Sequence, residues 1–367
     1  MSRCVLHVVG ARPNFVKMAP VVRALWAEPG GWEHLLVHTG QHYDEQLNDS
    51  IFRDLGLRAP DVHLGARSGS HAEQTGRIMV SFEKLLAELR PGLVVVAGDA
   101  NSTLACSIVA AKAKVPVAHL EAGLRSGDWT MPEEINRIVS DRLTRLHLTP
   151  SPDAGQNLLR EGVDPQNIVW VGNCMIDSLV THLETARRGS ALTRFGVARR
   201  RFALATLHRP SNVDDPPRLA RLVQALSSIG ARLPVVFPVH PRTRARLEAA
   251  AVPLSSLSSR GVLLSEPLGY LDFVQLEDAA AVVVTDSGGV QEETTALGVP
   301  CLTVRDNTER PITLTQGTNK LVGSNPDVLP AEVDAVLSGP TRRGEVPERW
   351  DGSAGARAAE AIRRFLS

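Results

Sequence analysis

Short apolar runs rich in β-branched residues recur along the chain, each followed by a turn residue (Gly, Asp, Ser or Asn) and a helical pattern. In the first half these runs occupy residues 5–9, 35–38, 93–97, 115–119 and 168–171. They do not alternate apolar and polar residues, which is typical of strands buried on both faces. The pattern therefore predicts an α/β fold in which a doubly wound parallel sheet has helices on each side.

The same pattern restarts in the second half, with predicted strands at residues 202–207, 235–239, 262–264, 281–285 and 301–304. The strand series pauses after Val171-Gly172-Asn173, so we predict two domains, residues 1–172 and 173–353. A final helix is predicted from residue 354 to residue 365, with Ser353 as a candidate cap. Ligands of open α/β sheets bind beyond the carboxyl ends of the strands, which makes the residues after each strand the first site candidates.

Composition excludes several classes of protein. The 367 residues include 40 Lys and Arg against 40 Asp and Glu, so the chain has no overall field to attract nucleic acid or an anionic membrane. Cys4, Cys106, Cys174 and Cys301 are spaced singly, which indicates buried thiols in a reducing compartment and no metal site. The N-terminus resembles no signal peptide, and no apolar run approaches the ~20 residues that span a bilayer. We therefore predict a cytoplasmic protein.

The turn after the first strand, residues 10–20, lacks the three-glycine dinucleotide fingerprint, and the chain has no Walker loop. Neither Tyr43 nor Tyr270 has a Lys four residues later, which disfavours a nicotinamide-dependent sugar epimerase of the Tyr-x-x-x-Lys kind. These missing motifs disfavour nicotinamide-dependent chemistry and nucleotide hydrolysis by a Walker loop. Arg12 and Lys17 stand at a predicted helix N-terminus that favours anions, and they are either phosphate contacts or solvated surface residues.

Four acidic residues follow predicted strands of the first domain. Asp99, taken alone, is best explained as the N-cap of the next helix. Glu121 ends a buried strand, where capping does not explain it. Glu133 and Glu134 open a helix, and the helix dipole accounts for one of the two. Asp99, Glu121 and Glu133 together predict three carboxylates around one site, where mutual repulsion separates acid from base roles.

Two histidines follow predicted strands of the second domain. His208 is a candidate general acid or base, or a phosphate contact, and the alternative is a structural histidine. His240 occupies the equivalent position after the next strand and is the weaker candidate.

The stretch from residue 284 to residue 293 reads as a strand, a Gly-Gly turn and the start of a helix. Ser287, Gly288 and Gly289 would leave successive backbone N–H groups open as an anion cradle. Glu293, one turn further on, is suited to accept hydrogen bonds from a ribose diol. The alternative is a tight turn with an incidental surface Glu. Arg310 follows the next strand and could approach a diphosphate bound in this cradle.

From about residue 9 to residue 323 these stretches together resemble the non-hydrolysing UDP-N-acetylglucosamine 2-epimerase family. The matching stretches are Gly10-Ala11-Arg12-Pro13 with Lys17, Thr39-Gly40-Gln41-His42, Gly98-Asp99, residues 119–126 and 132–137, His208-Arg209, and residues 285–293 and 308–311. The resemblance implies two facing Rossmann-like domains of the glycosyltransferase-B kind with an interdomain cleft. It also implies that the final helix, residues 354–367, packs back on the first domain, and that the protein is a homodimer that uses neither metal nor nicotinamide.

The implied reaction is reversible C2 epimerisation of UDP-N-acetylglucosamine to UDP-N-acetylmannosamine. Proton loss at C2 accompanies departure of UDP from C1, and UDP re-adds to the resulting 2-acetamidoglucal as C2 is reprotonated from the other face. By position, Asp99 and Glu121 are the acid/base pair, Glu133 assists them, and His208 stabilises the departing phosphate. The implied substrate-binding residues are Arg12, Lys17, His42, Arg137, Arg209, His240, Leu268, Phe273, Ser287, Gly288, Gly289, Glu293 and Arg310.

Alternatives within and outside this family stay open. A hydrolysing enzyme would release N-acetylmannosamine and UDP, and other relatives epimerise modified UDP-acetamido sugars. Tyr43-Asp44 stands where a basic residue usually follows the Thr-Gly-Gln-His loop, which puts allosteric activation by substrate in question. A glycosyltransferase on the same scaffold would show no C2 exchange, and a nucleotide-sugar sensor would show no turnover.

Overall fold

The computed structural model describes residues 3–40, 52–67, 69–250, 257–339 and 344–367. Contacts divide the chain into two compact units, the first comprising residues 1–181 and 348–367 and the second residues 182–347. The division falls inside the helix Cys174–Arg187 and not at residue 172. The pause in the strand series thus marks the start of a helix that belongs to both units.

The first unit is built on a sheet with the strand order β3-β2-β1-β4-β5-β6-β7, in which each described pairing is parallel. Its strands are β1 Cys4–Val9, β2 Glu33–His38, β3 Val62–His63, β4 Leu93–Ala97, β5 Val117–Leu120, β6 Leu146–Thr149 and β7 Ile168–Trp170. Its helices are α1 Arg12–Ala27, α2 His71–Leu89, α3 Asn101–Lys112, α4 Pro132–Leu143, α5 Pro152–Arg160 and, shared with the second unit, α6 Cys174–Arg187.

The second unit repeats this plan with the strand order β10-β9-β8-β11-β12-β13, again parallel in each described pairing. Its strands are β8 Ala203–Thr206, β9 Val235–Pro238, β10 Val262–Ser265, β11 Val282–Thr285, β12 Cys301–Thr303 and β13 Asn319–Leu321. Its helices are α7 Ala191–Phe195, α8 Pro210–Val213, α9 Pro216–Gly230, α10 Pro241–Ala249, α11 Tyr270–Ala279, α12 Gly288–Leu297, α13 Ile312–Thr315 and α14 Leu329–Ser338.

Both faces of the second sheet are packed, as the non-alternating strands predict. Ala203 and Ala205 lie in one hydrophobic cluster, whereas Leu204, between them, lies in another. The predicted parallel α/β fold is therefore confirmed, and in the part of the chain that the structure describes no helix is long and apolar enough to cross a membrane. The cytoplasmic location stays a prediction.

The chain returns to the first unit in its last helix, α15 Ala354–Leu366, which packs on α1. Close approach depends on Gly355, because a Cβ there would lie 2.5 Å from Pro20 Cβ. Asp177 caps the helix, accepting the N–H groups of Ala354 at 3.1 Å and Gly355 at 2.7 Å. Ser353 is the N-cap residue, as predicted, but its side chain makes no capping hydrogen bond, and a carboxylate from α6 takes that role.

Candidate active site

The strands β1, β4 and β5 are neighbours in the first sheet, so the segments after their carboxyl ends meet at one edge. There the ammonium of Lys17, from α1, makes a close ion pair with Oε2 of Glu121, and each side chain is only 7% exposed. Glu121 has a φ of +71°, a left-handed conformation that costs a residue with a Cβ roughly 1–2 kcal/mol. Such strain persists where the surroundings fix it, and it clusters at functional sites.

The glycine that follows β4 packs against this pair. Gly98 has a φ of +64°, and a Cβ on it would lie 3.0 Å from Lys17 Nζ and 3.2 Å from Glu121 Oε2. A residue with a side chain would therefore be strained and would press on the ion pair. Asp99 follows directly, so the two predicted acid/base residues are held beside each other by the ends of adjacent strands.

The carboxylate of Asp99 is fixed by Arg137, whose Nη1 lies 2.5 Å from Asp99 Oδ2. The guanidinium is buried, and its Nε also donates to Glu134 Oε2 at 3.0 Å. Asp99 is not the N-cap of the following helix, because Ala100 holds that position. Arg137, predicted to bind substrate, thus bridges two carboxylates, while the side chain of Asp99 remains 26% exposed.

The two glutamates at the start of α4 differ in their environment. Glu134 is buried and accepts the backbone N–H groups of Ser126 at 3.0 Å and Gly127 at 2.8 Å. Burial alone would raise the pKa of Glu134, but these N–H groups and Arg137 outweigh burial and lower it. Glu134 therefore holds the loop after β5, whereas Glu133 is half-buried.

A buried histidine in β5 contacts the segment that precedes Asp99, and we did not predict its role. His119 Nδ1 lies 2.6 Å from Asp141 Oδ1, and its Nε2 lies 2.8 Å from the carbonyl oxygen of Gly98. Burial lowers the pKa of His119, but Asp141 and the Gly98 carbonyl outweigh burial and raise it. Because both ring nitrogens face acceptors, the imidazolium form donates two hydrogen bonds and ties β5 to the end of β4.

In the second unit, the carboxyl ends of β8 and β11 are adjacent. His208 follows β8 with its side chain 34% exposed, and its Nδ1 lies 3.1 Å from Oδ1 of the buried Asp286, which follows β11. His240 is the exposed N-cap residue of α10, and its Nδ1 accepts the N–H of Arg242 at 3.2 Å. The rings of His208 and His240 lie 5.4 Å apart between centroids.

The predicted anion cradle is the start of α12, with Ser287 as the N-cap residue and Gly288 and Gly289 in the first turn. Ser287 makes no side-chain cap, and a Cβ on Gly288 would overlap Arg310 Nη1 and lie 2.6 Å from Glu309 Oε1. The guanidinium of Arg310 therefore packs on the face of the turn that Gly288 leaves open. A cation beside the positive end of a helix is suited to bind an anion.

Arg310 belongs to a buried charge cluster that we did not predict. It pairs with Glu292 Oε1 at 3.0 Å and makes a close contact with Glu309 Oε1. Glu309 also pairs with Arg305 at 2.7 Å, and Arg209 Nη2 lies 3.7 Å from it. Three guanidinium groups and two carboxylates thus lie together next to the glycine turn.

The remaining predicted residues are placed as follows. Arg12 is the half-buried first residue of α1, and Glu293 is buried in α12. Leu268 and Phe273 are half-buried against the hydrophobic cluster that contains Leu204. His42 lies outside the described residues. The roles of all these residues stay predictions.

Two parallel-sheet units with charged groups after their strands make this a two-domain α/β protein of the glycosyltransferase-B-like class. A sequence model of the family described as UDP-N-acetylglucosamine 2-epimerase matches residues 24–363. The Methanocaldococcus jannaschii UDP-N-acetylglucosamine 2-epimerase is 41% identical over 336 residues, 90% of this chain and 91% of that relative. A solved structure of an enzyme of that name from M. jannaschii, in complex with UDP-GlcNAc and UDP, has a TM-score of 0.91 at 38% identity, covering 99% of each chain.

A third relative, the Pseudomonas aeruginosa UDP-2,3-diacetamido-2,3-dideoxy-D-glucuronate 2-epimerase, is 39% identical over 364 residues, 98% of this chain and 99% of the relative. The chain belongs to the UDP-N-acetylglucosamine 2-epimerase family. The resemblance predicted from the sequence is thereby confirmed, as is membership of an isomerase family.

Proposed function

We propose that this protein interconverts UDP-N-acetylglucosamine and UDP-N-acetylmannosamine by removing UDP and adding it back. The observation that carries the proposal is the buried pair of Lys17 and Glu121 beside Asp99, because it gives two carboxylates fixed at the ends of adjacent strands. The names of the relatives, and the UDP-GlcNAc and UDP bound to one of them, support the substrate.

The chemistry requires groups that accept and donate a proton at C2. The sugar ring carries no carbonyl beside C2, so a carbanion at C2 would be too costly. When the C1–O bond breaks at the same time, the electron pair of the C2–H bond forms a double bond between C1 and C2. One of Asp99 and Glu121, as a carboxylate, takes the C2 proton as UDP leaves, and the other, as a carboxylic acid, gives its proton to the opposite face as UDP re-adds. Proton exchange with water then restores the starting state of both groups. Lys17 fixes the carboxylate of Glu121 in place, and fixed charges in a dry site stabilise a transition state more than mobile charges in water do.

The second unit supplies the groups suited to UDP. The glycine turn at Ser287, Gly288 and Gly289 and the guanidinium of Arg310 bind the diphosphate, Glu293 accepts from the ribose, and His208 meets the departing phosphate. The guanidinium of Arg310 against the first turn of a helix supports this assignment.

The test is an incubation of the full-length protein with UDP-N-acetylglucosamine in deuterated water, followed by proton NMR of the sugar nucleotides. We expect deuterium at C2 in the recovered substrate together with new UDP-N-acetylmannosamine. Neither label nor epimer after prolonged incubation would overturn the proposal. Free N-acetylmannosamine with an equal amount of UDP would instead identify the hydrolysing reaction.

A modified sugar is the second candidate, since the P. aeruginosa relative matches nearly the whole chain at 39% identity. That relative is named for a 2,3-diacetamido glucuronate, which carries a carboxylate and a second acetamido group. The same NMR assay with both UDP-sugars decides between them by the ratio of kcat/KM values.

The cytoplasmic location and the homodimer implied by the family resemblance belong to this proposal. Light scattering during size-exclusion chromatography is expected to give twice the mass of one chain, and the mass of a single chain would contradict the dimer.

Glu133 and Glu134 provide a matched pair of variants. Glu133→Gln is expected to lower kcat roughly 10²-fold, with a smaller change in melting temperature than Glu134→Gln, because Glu133 is half-buried whereas Glu134 is buried. Glu134→Gln is expected to destabilise the fold by roughly 1–3 kcal/mol, since an amide cannot replace a carboxylate that accepts from two backbone N–H groups and Arg137. Calorimetry and the C2 exchange assay check both. The reverse outcome, with Glu133→Gln unstable and Glu134→Gln stable but inactive, would contradict the assignment.

A further inference from the structure

Asp286 is a fully buried carboxylate that contacts the loop after β8. Its Oδ2 accepts the backbone N–H of Arg209 at 2.9 Å and Nδ2 of Asn212 at 2.9 Å. The backbone N–H of His208 lies 3.1 Å from each of its oxygens, and Nδ1 of the same residue lies 3.1 Å from Oδ1. Backbone and side chain of His208 are thus both bound to a single carboxylate.

The ionisation of Asp286 decides which ring nitrogen of His208 carries a proton. Burial would raise the pKa of Asp286, but His208 and Asn212 outweigh burial and lower the pKa to about 2. An ionised carboxylate only accepts hydrogen bonds, so Nδ1 of the neutral ring must be the protonated nitrogen. Nε2 is then the nitrogen that gains and loses a proton.

We propose that Asp286 is a positioning residue for His208, selecting the Nδ1–H tautomer and leaving Nε2 as the reactive nitrogen. This inference rests on the proposed function, in which His208 meets the departing phosphate. When Nε2 is protonated, it donates to the phosphate oxygen as the C1–O bond breaks. Asp286 stabilises the imidazolium that does so, because its negative charge stays beside Nδ1. The carboxylate also directly precedes the glycine turn, so one residue ties the histidine loop to the start of α12.

A purely structural role makes different predictions. If Asp286 only held the loop, its hydrogen bonds with the two backbone N–H groups would be enough for that role. The ring of His208 would then show the tautomer preference of a free imidazole. Asn212 is a suitable structural control, because it donates to Asp286 Oδ2 at 2.9 Å and to the carbonyl oxygen of Val304 at 3.0 Å. Asn212→Ala removes those loop contacts and leaves the contact between Asp286 and Nδ1 in place.

The experiment uses the full-length protein with ¹⁵N-labelled histidine, without substrate, at a pH where the rings are neutral. His208→Gln and His240→Gln assign the two neighbouring rings, which lie 5.4 Å apart between centroids. We expect His208 of the unmodified protein to show the Nδ1–H tautomer, and Asn212→Ala to keep it. In Asp286→Asn the amide no longer requires Nδ1–H, so we expect the preference to be lost. An Nε2–H tautomer in the unmodified protein would overturn the inference even if Asp286→Asn fails to fold.

Kinetics supply the second readout. Asp286→Asn is expected to lower kcat by roughly 10²-fold or more per folded molecule, with a smaller change in KM, because the imidazolium whose Nε2–H donates to the departing phosphate then lacks the negative charge beside its Nδ1. Asn212→Ala is expected to lower stability and to keep kcat per folded molecule within about threefold. Full kcat in folded Asp286→Asn would overturn the inference. Absence of C2 exchange in the unmodified protein would count against the proposed function, whereas the tautomer is measured without turnover.

Discussion

Glu121→Gln is expected to lower C2 exchange and epimerisation by roughly 10³-fold, the middle of the range for loss of a general acid or base. The amide has the size of the carboxylate but cannot take the C2 proton. Deuterium incorporation measured by NMR at saturating UDP-N-acetylglucosamine checks this directly. Exchange within tenfold of the unmodified protein would contradict the role assigned to Glu121.

The same substitution leaves the ammonium of Lys17 buried beside a neutral partner. Breaking a buried ion pair from one side costs roughly 3–5 kcal/mol, so Glu121→Gln and Lys17→Met are each expected to unfold at lower denaturant concentration. The double variant removes both charges and is expected to cost less than the sum of the two single variants. It should therefore regain stability without regaining C2 exchange, which separates loss of chemistry from loss of fold. Additive destabilisation would show that the two side chains do not interact.

An exposed glutamate provides the control. Glu184 forms a pair with Arg187 along α6, and its side chain is 71% exposed. Exposed pairs contribute at most about 1 kcal/mol, so Glu184→Gln is expected to change neither stability nor exchange appreciably.

The sequence identifies Glu121 but not its partner, and the reason is physical. An acidic residue at the end of a buried strand can be recognised from the sequence alone. Lys17, in contrast, lies 104 residues away from Glu121 and contacts it only because β1, β4 and β5 are neighbours in the sheet. Strand order is set by packing of the whole sheet. The same limit applies to Arg310, whose charge is visible in the sequence while its contact with Glu292 depends on how β11 and β12 pair.

The strands of the fold are easier to predict from the sequence than the contacts of the site. The predicted strand at residues 93–97 coincides with β4, because a run of buried apolar residues bounded by Pro91-Gly92 and Gly98 has one simple interpretation. The strands β3, β6 and β13 were missed. Strands β6 and β13 are short and carry polar residues, His147 in β6 and Asn319 in β13, whose side chains bind backbone carbonyl oxygens outside their own strands.

Gly288→Ala is expected to weaken UDP binding by roughly 10²-fold. The added methyl group would overlap Arg310 Nη1 and approach Glu309 Oε1, so the guanidinium must leave the face of the glycine turn. A hydrogen bond to a charged group contributes about 1.5–3 kcal/mol, and each 1.4 kcal/mol is tenfold in the dissociation constant. Titration calorimetry with UDP measures the change without requiring turnover.

Gly76→Ala is the matched control for Gly288→Ala. Gly76 lies inside α2, and a Cβ there would meet nothing within 4 Å. Alanine in a helix interior is favoured over glycine by roughly 0.5–1 kcal/mol, so this variant is expected to be more stable and to bind UDP normally. UDP binding by Gly288→Ala within threefold of the Gly76→Ala value would place the diphosphate away from the turn. Weakened binding in the first variant alone identifies the bare face of Gly288, with Arg310 against it, as the anion cradle.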